Sequence, residues 1–151
     1  MLQTSLDNIK VVTLEYQSGV NLVLPFVKSM ENSLKAMWEI LHCHHVTCTQ
    51  IEIDGKNYDI WSDDEALLTD KPIPTLYIND DLVLFGNLIF ATSDDEGTTR
   101  GLSDKDMDRV LKFINRQMPK LVDWLDNLIS KQERKKTMIL LRSQSTTSSI
   151  N

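Results

Sequence analysis

Asp54-Gly55 stands between two runs rich in β-branched and aromatic residues, Val46 to Ile53 and Asn57 to Trp61. A tight primed turn needs positive φ at its centre, which Asp tolerates and Gly adopts freely, so the dipeptide commits both runs to an antiparallel hairpin. The other elements are placed around it. Ile9 to Tyr16 is β-branched, ends near Gly19 and reads as a first strand. A helix is expected next, N-capped by Ser29 and with Pro25 before it, because Met30, Leu34, Met37, Trp38 and Leu41 recur on one helical face.

Beyond the hairpin, Ser62 to Pro74 carries two prolines and Asp63-Asp64-Glu65, and reads as a surface connection with one helical turn at Glu65 to Leu68. Leu76-Tyr77-Ile78 adds a short strand. Leu82 to Ala91 is the most apolar run, and its length with Gly86 inside suits one buried strand with a bend. Thr92 to Thr99 is a polar loop. A helix starts at Ser103, where Asp106 completes a variant capping box, and Met107, Val110, Leu111 and Ile114 form its buried stripe. Pro119 is expected to end or kink it near Gln117, with helical spacing resuming through Leu121, Val122, Leu125, Leu128 and Ile129.

The expected fold class is therefore α+β: a mainly antiparallel sheet of four or five strands, helices on one face, and a long C-terminal helical region. Residues 1–118 form the α+β domain, 119–142 a basic amphipathic helical region, and 143–151 a Ser/Thr-rich tail disordered on its own. With 151 residues and 41% hydrophobic content, the chain can bury a core without disulfides or a structural metal. It has no apolar run long enough to span a bilayer, and Met1 to Asp7 lacks the features of a signal peptide, so a cytoplasmic location with reduced thiols is expected.

Charge is segregated. Asp54 to Asp108 holds 14 acidic and 4 basic residues, whereas Arg109 to Asn151 holds 9 basic and 3 acidic ones, within an overall charge of −6. Such a split bears on partners rather than on fold.

Certain short motifs occur together: Ser33-Leu34-Lys35-Ala36-Met37-Trp38, Ile51-Glu52-Ile53 with Asp63-Asp64-Glu65, Phe85-Gly86-Asn87-Leu88-Ile89-Phe90-Ala91, and Asp95-Glu96-Gly97 leading to Leu102-Ser103-Asp104. From about residue 9 to 113 the chain thereby resembles a small family known only as a domain of unknown function, found in phages, plasmids and other bacterial mobile elements. The turn Leu41-His42-Cys43-His44-His45-Val46 departs from the small or Gly-rich composition usual there. The resemblance implies a product made inside a bacterial host, of a kind that often blocks host defence machinery. It implies no catalytic residues.

Four groups of residues are candidates for chemistry. His42, Cys43, His45 and Cys48 are zinc-ligand types at workable spacing, but a second ligand pair is missing, so a carboxylate such as Glu39 or Glu52 would have to complete the set or the site would be shared across a dimer. The plainer reading, a helix end running into a strand, is preferred, and no cofactor is expected. A Cys-His nucleophile in the same turn lacks an orienting third group. Asp63, Asp64, Glu65, Asp80, Asp81, Asp94, Asp95 and Glu96 exceed what turns and caps need, and read as an acidic face for a basic partner surface. Tyr77, Phe85, Asn87 and Arg100 offer stacking, amide and guanidinium groups suited to a nucleotide signal, although no phosphate-binding Gly-rich loop accompanies them.

Lys131, Arg134, Lys135, Lys136 and Arg142 could meet nucleic acid or the acidic face of a second copy, but a solvated helix end is the commoner explanation and direct nucleic-acid binding is not favoured. The function expected is a non-enzymatic inhibitor of a host defence component, a CRISPR effector or restriction enzyme, bound through the acidic face. Sequestration of a nucleotide signal is the alternative, and a zinc-binding regulator or metal-dependent enzyme the second.

Overall fold

A computed structural model describes residues 7–69 and 72–150, with side chains through residue 135. The elements are β1 (Asn8–Gln17), β2 (Leu22–Glu31), α1 (Leu34–Leu41), β3 (Val46–Ile53), β4 (Lys56–Asp63), a 3₁₀ turn (Ala66–Leu68), β5 (Pro74–Asn79), β6 (Leu82–Phe85), β7 (Leu88–Ser93), β8 (Thr99–Arg100) and α2 (Asp104–Ile150). The main sheet is antiparallel in the order β2-β1-β7-β4-β3, with β8 paired to β7 as a sixth strand, and β5 and β6 form a separate ribbon. The class is α+β.

The hairpin forms as its turn residues require. Asp54 and Gly55 have φ of 51° and 84°, and β3 and β4 pair without a bulge from Ile53↔Lys56 to Val46↔Asp63.

Three expectations are corrected. The segment around Ser29 is strand: β2 pairs with β1 along its full length, and Met30 is a strand residue opposite Ile9. Pro25 masked the strand in the sequence, but β2 is an edge strand, where the missing N–H is tolerated. The true N-cap is Ser33, whose hydroxyl accepts the Ala36 N–H at 3.1 Å. Leu82 to Ala91 is not one strand, because Gly86 at φ 77° breaks it into β6 and β7 and sends them into different sheets.

Nor do the helices share a face. Alternation along each strand directs Val12, Leu14, Tyr58, Ile60, Leu88 and Phe90 to one side, beneath Val110 and Ile114 of α2 and Leu76 and Leu84 of the ribbon. Val11, Ile89 and Ala91 point to the other side, where Met37 and Leu41 of α1 cover them. Both faces therefore carry core, and burial of each large side chain contributes about 1.5–3 kcal/mol.

At the start of α2, the Ser103 hydroxyl accepts the Asp106 N–H at 3.1 Å and Asp106 accepts the Ser103 N–H at 3.0 Å, completing the capping box. The helix continues through Pro119, which sits on its exposed side, rather than ending there. At 47 residues it is about 70 Å long. Its buried face ends at Leu121, and from Asp126 to Lys135 every residue is exposed. Side chains beyond 135 lie outside the described residues, as do the expectations placed on Lys136 and Arg142, whereas the backbone of 143–150, expected as a disordered tail, is part of α2.

Candidate functional site

At one end of the main sheet, α1 stops and β4 leaves. His42 closes α1 in the left-handed conformation, at φ 56° and ψ 44°, and the Cys43 N–H then reaches the Trp38 carbonyl at 3.2 Å. This reversal feeds the chain into β3. The acidic connection after β4 is tied to the same turn, since the Asp64 N–H donates to the His45 carbonyl at 2.8 Å.

The connection is itself ordered. The Asp63 carboxylate accepts the Glu65 N–H at 2.9 Å, and the Leu68 N–H donates to the Glu65 carbonyl at 2.9 Å. The turn so formed holds Leu67 at 64% and Leu68 at 79% exposure, beside exposed Asp64 and Glu65. On the other side of the histidine turn, Lys35, Trp38, Glu39, His42, Cys43 and His44 line a groove of ≈ 550 Å³, with the Trp38 and His44 rings 5.3 Å apart. The indole N–H groups of Trp38 and Trp61 are buried without an acceptor among the described residues.

The His/Cys set is not assembled for metal: among the described residues no three His, Cys, Asp or Glu side chains converge. Neither thiol is prepared as a nucleophile either. Burial, followed by the Asp63 carboxylate, pushes the Cys43 thiol up, and burial with Asp59 pushes Cys48 up to about 11, even though Cys48 opens to the surface. The Cys43 thiol instead points at the His45 carbonyl, at 3.7 Å.

The eight acidic candidates do not form one face. β4 and β7 pair Ser62↔Leu88 and Asp59↔Ala91, so Asp63 leaves one end of the sheet while Asp94 follows β7 at the other, about 20 Å away along the strands. Asp94, Asp95 and Glu96 belong to the β7–β8 turn, which Asp94 organises by accepting the Glu96 and Thr98 N–H groups and pairing with Arg100 at 2.9 Å. The Thr98 N–H, assisted by Arg100, holds the Asp94 carboxyl below its usual range. Asp80 and Asp81 occupy the β5–β6 turn, where Asp80 accepts the Tyr77 hydroxyl and lies with Lys120, Asp123 and Trp124.

The nucleotide candidates are likewise dispersed. Asn87 is buried and fully employed: its carbonyl accepts the Tyr16 N–H and its amide donates to the Ile40 carbonyl, both at 2.9 Å, tying β1 to α1. Phe85 packs edge-on to Trp124, with ring centres 6.4 Å apart. Arg100 is held by Asp94 at the far end of β7 from Asn87.

One polar cluster escaped the sequence reading. At the opposite end from the histidine turn, buried Asp106 accepts the Lys56 ammonium at 2.8 Å and the Tyr58 hydroxyl at 2.7 Å, and Arg109 donates to the Tyr58 oxygen at 2.6 Å. Burial alone would raise the Asp106 carboxyl, but the bonds from Lys56, Tyr58 and Ser103 hold it well below the usual carboxylate range. The capping box was legible; the approach of Lys56 and Tyr58, about 50 residues away, was not.

Residues 14–115, from β1 into α2, match the family described as a domain of unknown function, DUF3846. The chain belongs to this family. The match covers both faces of the main sheet, the histidine turn, the acidic connection and the Asp106 cluster, while the exposed length of α2 lies outside it. No curated protein and no solved structure matches the chain.

Proposed function

We propose that the chain is a non-enzymatic binding protein that docks on a partner through the loop 63–68 and the adjoining turn 42–45. The observation that carries this reading is the display of Leu67 and Leu68 on a hydrogen-bonded turn beside Asp64 and Glu65. An isolated chain gains nothing from holding two leucines in water. A partner with an apolar recess would gain about 1.5–3 kcal/mol from burying each, and a basic rim around that recess would select the acidic flank and speed encounter.

This contact is narrower than the eight-residue acidic face, since Asp80, Asp81 and Asp94 to Glu96 lie elsewhere. The partner is a protein with a basic surface. Its finer identity is a bacterial defence component with a nucleic-acid channel, a CRISPR effector or restriction enzyme, with the chain a phage or mobile-element product acting in the host cytoplasm. Family membership is compatible with that origin through the resemblance described above.

The test is co-purification of tagged protein from bacterial host extract, comparing wild type with Leu67→Ser/Leu68→Ser and with Asp64→Lys/Glu65→Lys. Specific partners should disappear in both variants while circular dichroism and melting stay unchanged. Partners retained by both variants would end this assignment of the surface.

A further inference from the structure

Lys105, Arg109, Lys112, Arg116 and Lys120 recur along α2 at steps of four or three residues, which brings all five to one side of the helix. We propose that this stripe binds the phosphate backbone of nucleic acid. It lies on the folded part of α2, not on the projecting segment that carries Lys131, Arg134 and Lys135, and it does not rest on the reading of the loop 63–68.

The stripe faces solvent. Lys112 is 70% and Arg116 54% exposed at the side chain, Lys105 and Lys120 are exposed, and Arg109 is 28% exposed. The carboxylates nearby offset it only in part: Asp80 and Asp123 lie with Lys120, and Asp106 is 3.5 Å from Arg109. Asp106 is turned inward to Tyr58, Asp108 pairs with Lys112 at 3.0 Å, and Asp54 stands 3.9 Å from both Arg109 and Arg116. Exposed or stretched pairs of this kind are worth about 0–1 kcal/mol each and yield to a polyanion. Lys105 and Lys120 have no ion pair among the described residues. Lys56, half-exposed at the head of β4, is held by Asp106 at 2.8 Å and is not counted in the stripe.

The dimensions fit. From Lys105 to Lys120 the helix rises about 22 Å. Over that length one strand of a B-form duplex carries about six phosphates, and those on the side turned toward the helix are within reach of the stripe. Lysine and arginine on a smooth helix side, without an aromatic among them, recognise charge rather than sequence. Each phosphate contact releases condensed counterions, so binding falls steeply as salt rises, while the overall charge of −6 opposes binding most at low salt, where repulsion is least screened.

Fluorescence anisotropy with a labelled duplex of about 20 base pairs, titrated between about 50 and 200 mM salt, tests the proposal. Wild type should bind with an affinity that falls steeply with salt. Lys105→Gln/Lys112→Gln/Lys120→Gln should lower the slope of log affinity against log salt by about 2.7, the loss of three phosphate contacts. Arg109 and Arg116 are left intact so that the contacts at Asp54 and Tyr58 survive. Lys131→Gln/Arg134→Gln/Lys135→Gln should keep most of the wild-type slope. The proposal is overturned if wild type shows no salt-sensitive binding, if the loss maps to the projecting segment instead, or if sedimentation shows that the stripe variant abolishes pairing of two copies while nucleic-acid binding is unaffected.

Discussion

The two ends of the main sheet treat charge in opposite ways. At the end where α2 begins, Asp106 is buried and meets Lys56, Tyr58 and the Ser103 backbone, and Arg109 closes the cluster from outside. At the end where α1 finishes, two leucines and two acids face water, and the buried indoles of Trp38 and Trp61 have no hydrogen-bond acceptor among the described residues. A buried indole N–H without an acceptor costs free energy, whereas the Asp106 cluster has its polar groups paired. One end secures the hairpin to the long helix. The other leaves apolar and acidic side chains in water.

The largest expected effect falls on the closed end. Asp106→Asn should destabilise the protein by about 3 kcal/mol in urea unfolding, because it leaves Lys56 and Tyr58 facing a neutral amide. A loss below about 1 kcal/mol would show that this end does not hold the fold together. The same group gives a pH signature. The folded chain binds the Asp106 proton less tightly than the unfolded chain does, so its contribution is complete above about pH 4 and declines as pH falls below that value. Melting temperature should drop on acidification in wild type, with a flatter acid limb in Asp106→Asn.

Smaller effects probe α1 and the open end at which it finishes. Ser33→Ala should destabilise by about 1 kcal/mol through loss of the α1 cap. His42→Gly should stabilise by about 0.5–1 kcal/mol by relieving the left-handed backbone, readable as a raised melting temperature, and a loss instead would mean that the imidazole makes contacts outweighing the strain. Least of all, Leu67→Ala/Leu68→Ala should shift stability by no more than about 0.5 kcal/mol, since both side chains are already in water. A large loss there would erase the contrast between the ends.

What the sequence revealed follows the reach of its signals. The hairpin and both capping residues of α2 were legible because Asp54-Gly55 and Ser103/Asp106 act within a few residues of themselves. Pro25 misled, because a proline in an apolar run argues against a strand unless that strand is known to be at an edge, and edge position is decided by β1 and β7. Asn87 was read as a ligand group when it is a clamp, since nothing local shows that Tyr16 and Ile40 will present an N–H and a carbonyl to it. Leu67 and Leu68 were counted within a connection, but their exposure depends on the Asp63 and Glu65 bonds that fix the turn.

Pro25 has a bearing on solubility. β2 is the longest exposed edge of the sheet and carries Leu22, Leu24 and Val27 at 37–54% exposure, a composition that invites other chains to add on as further strands. The pyrrolidine ring interrupts that row at its middle, and Lys28 places a charge three residues on. The ring thereby removes a donor from the edge row to which a further strand would have to pair. Pro25→Val should form thioflavin-positive aggregates faster than wild type at equal concentration.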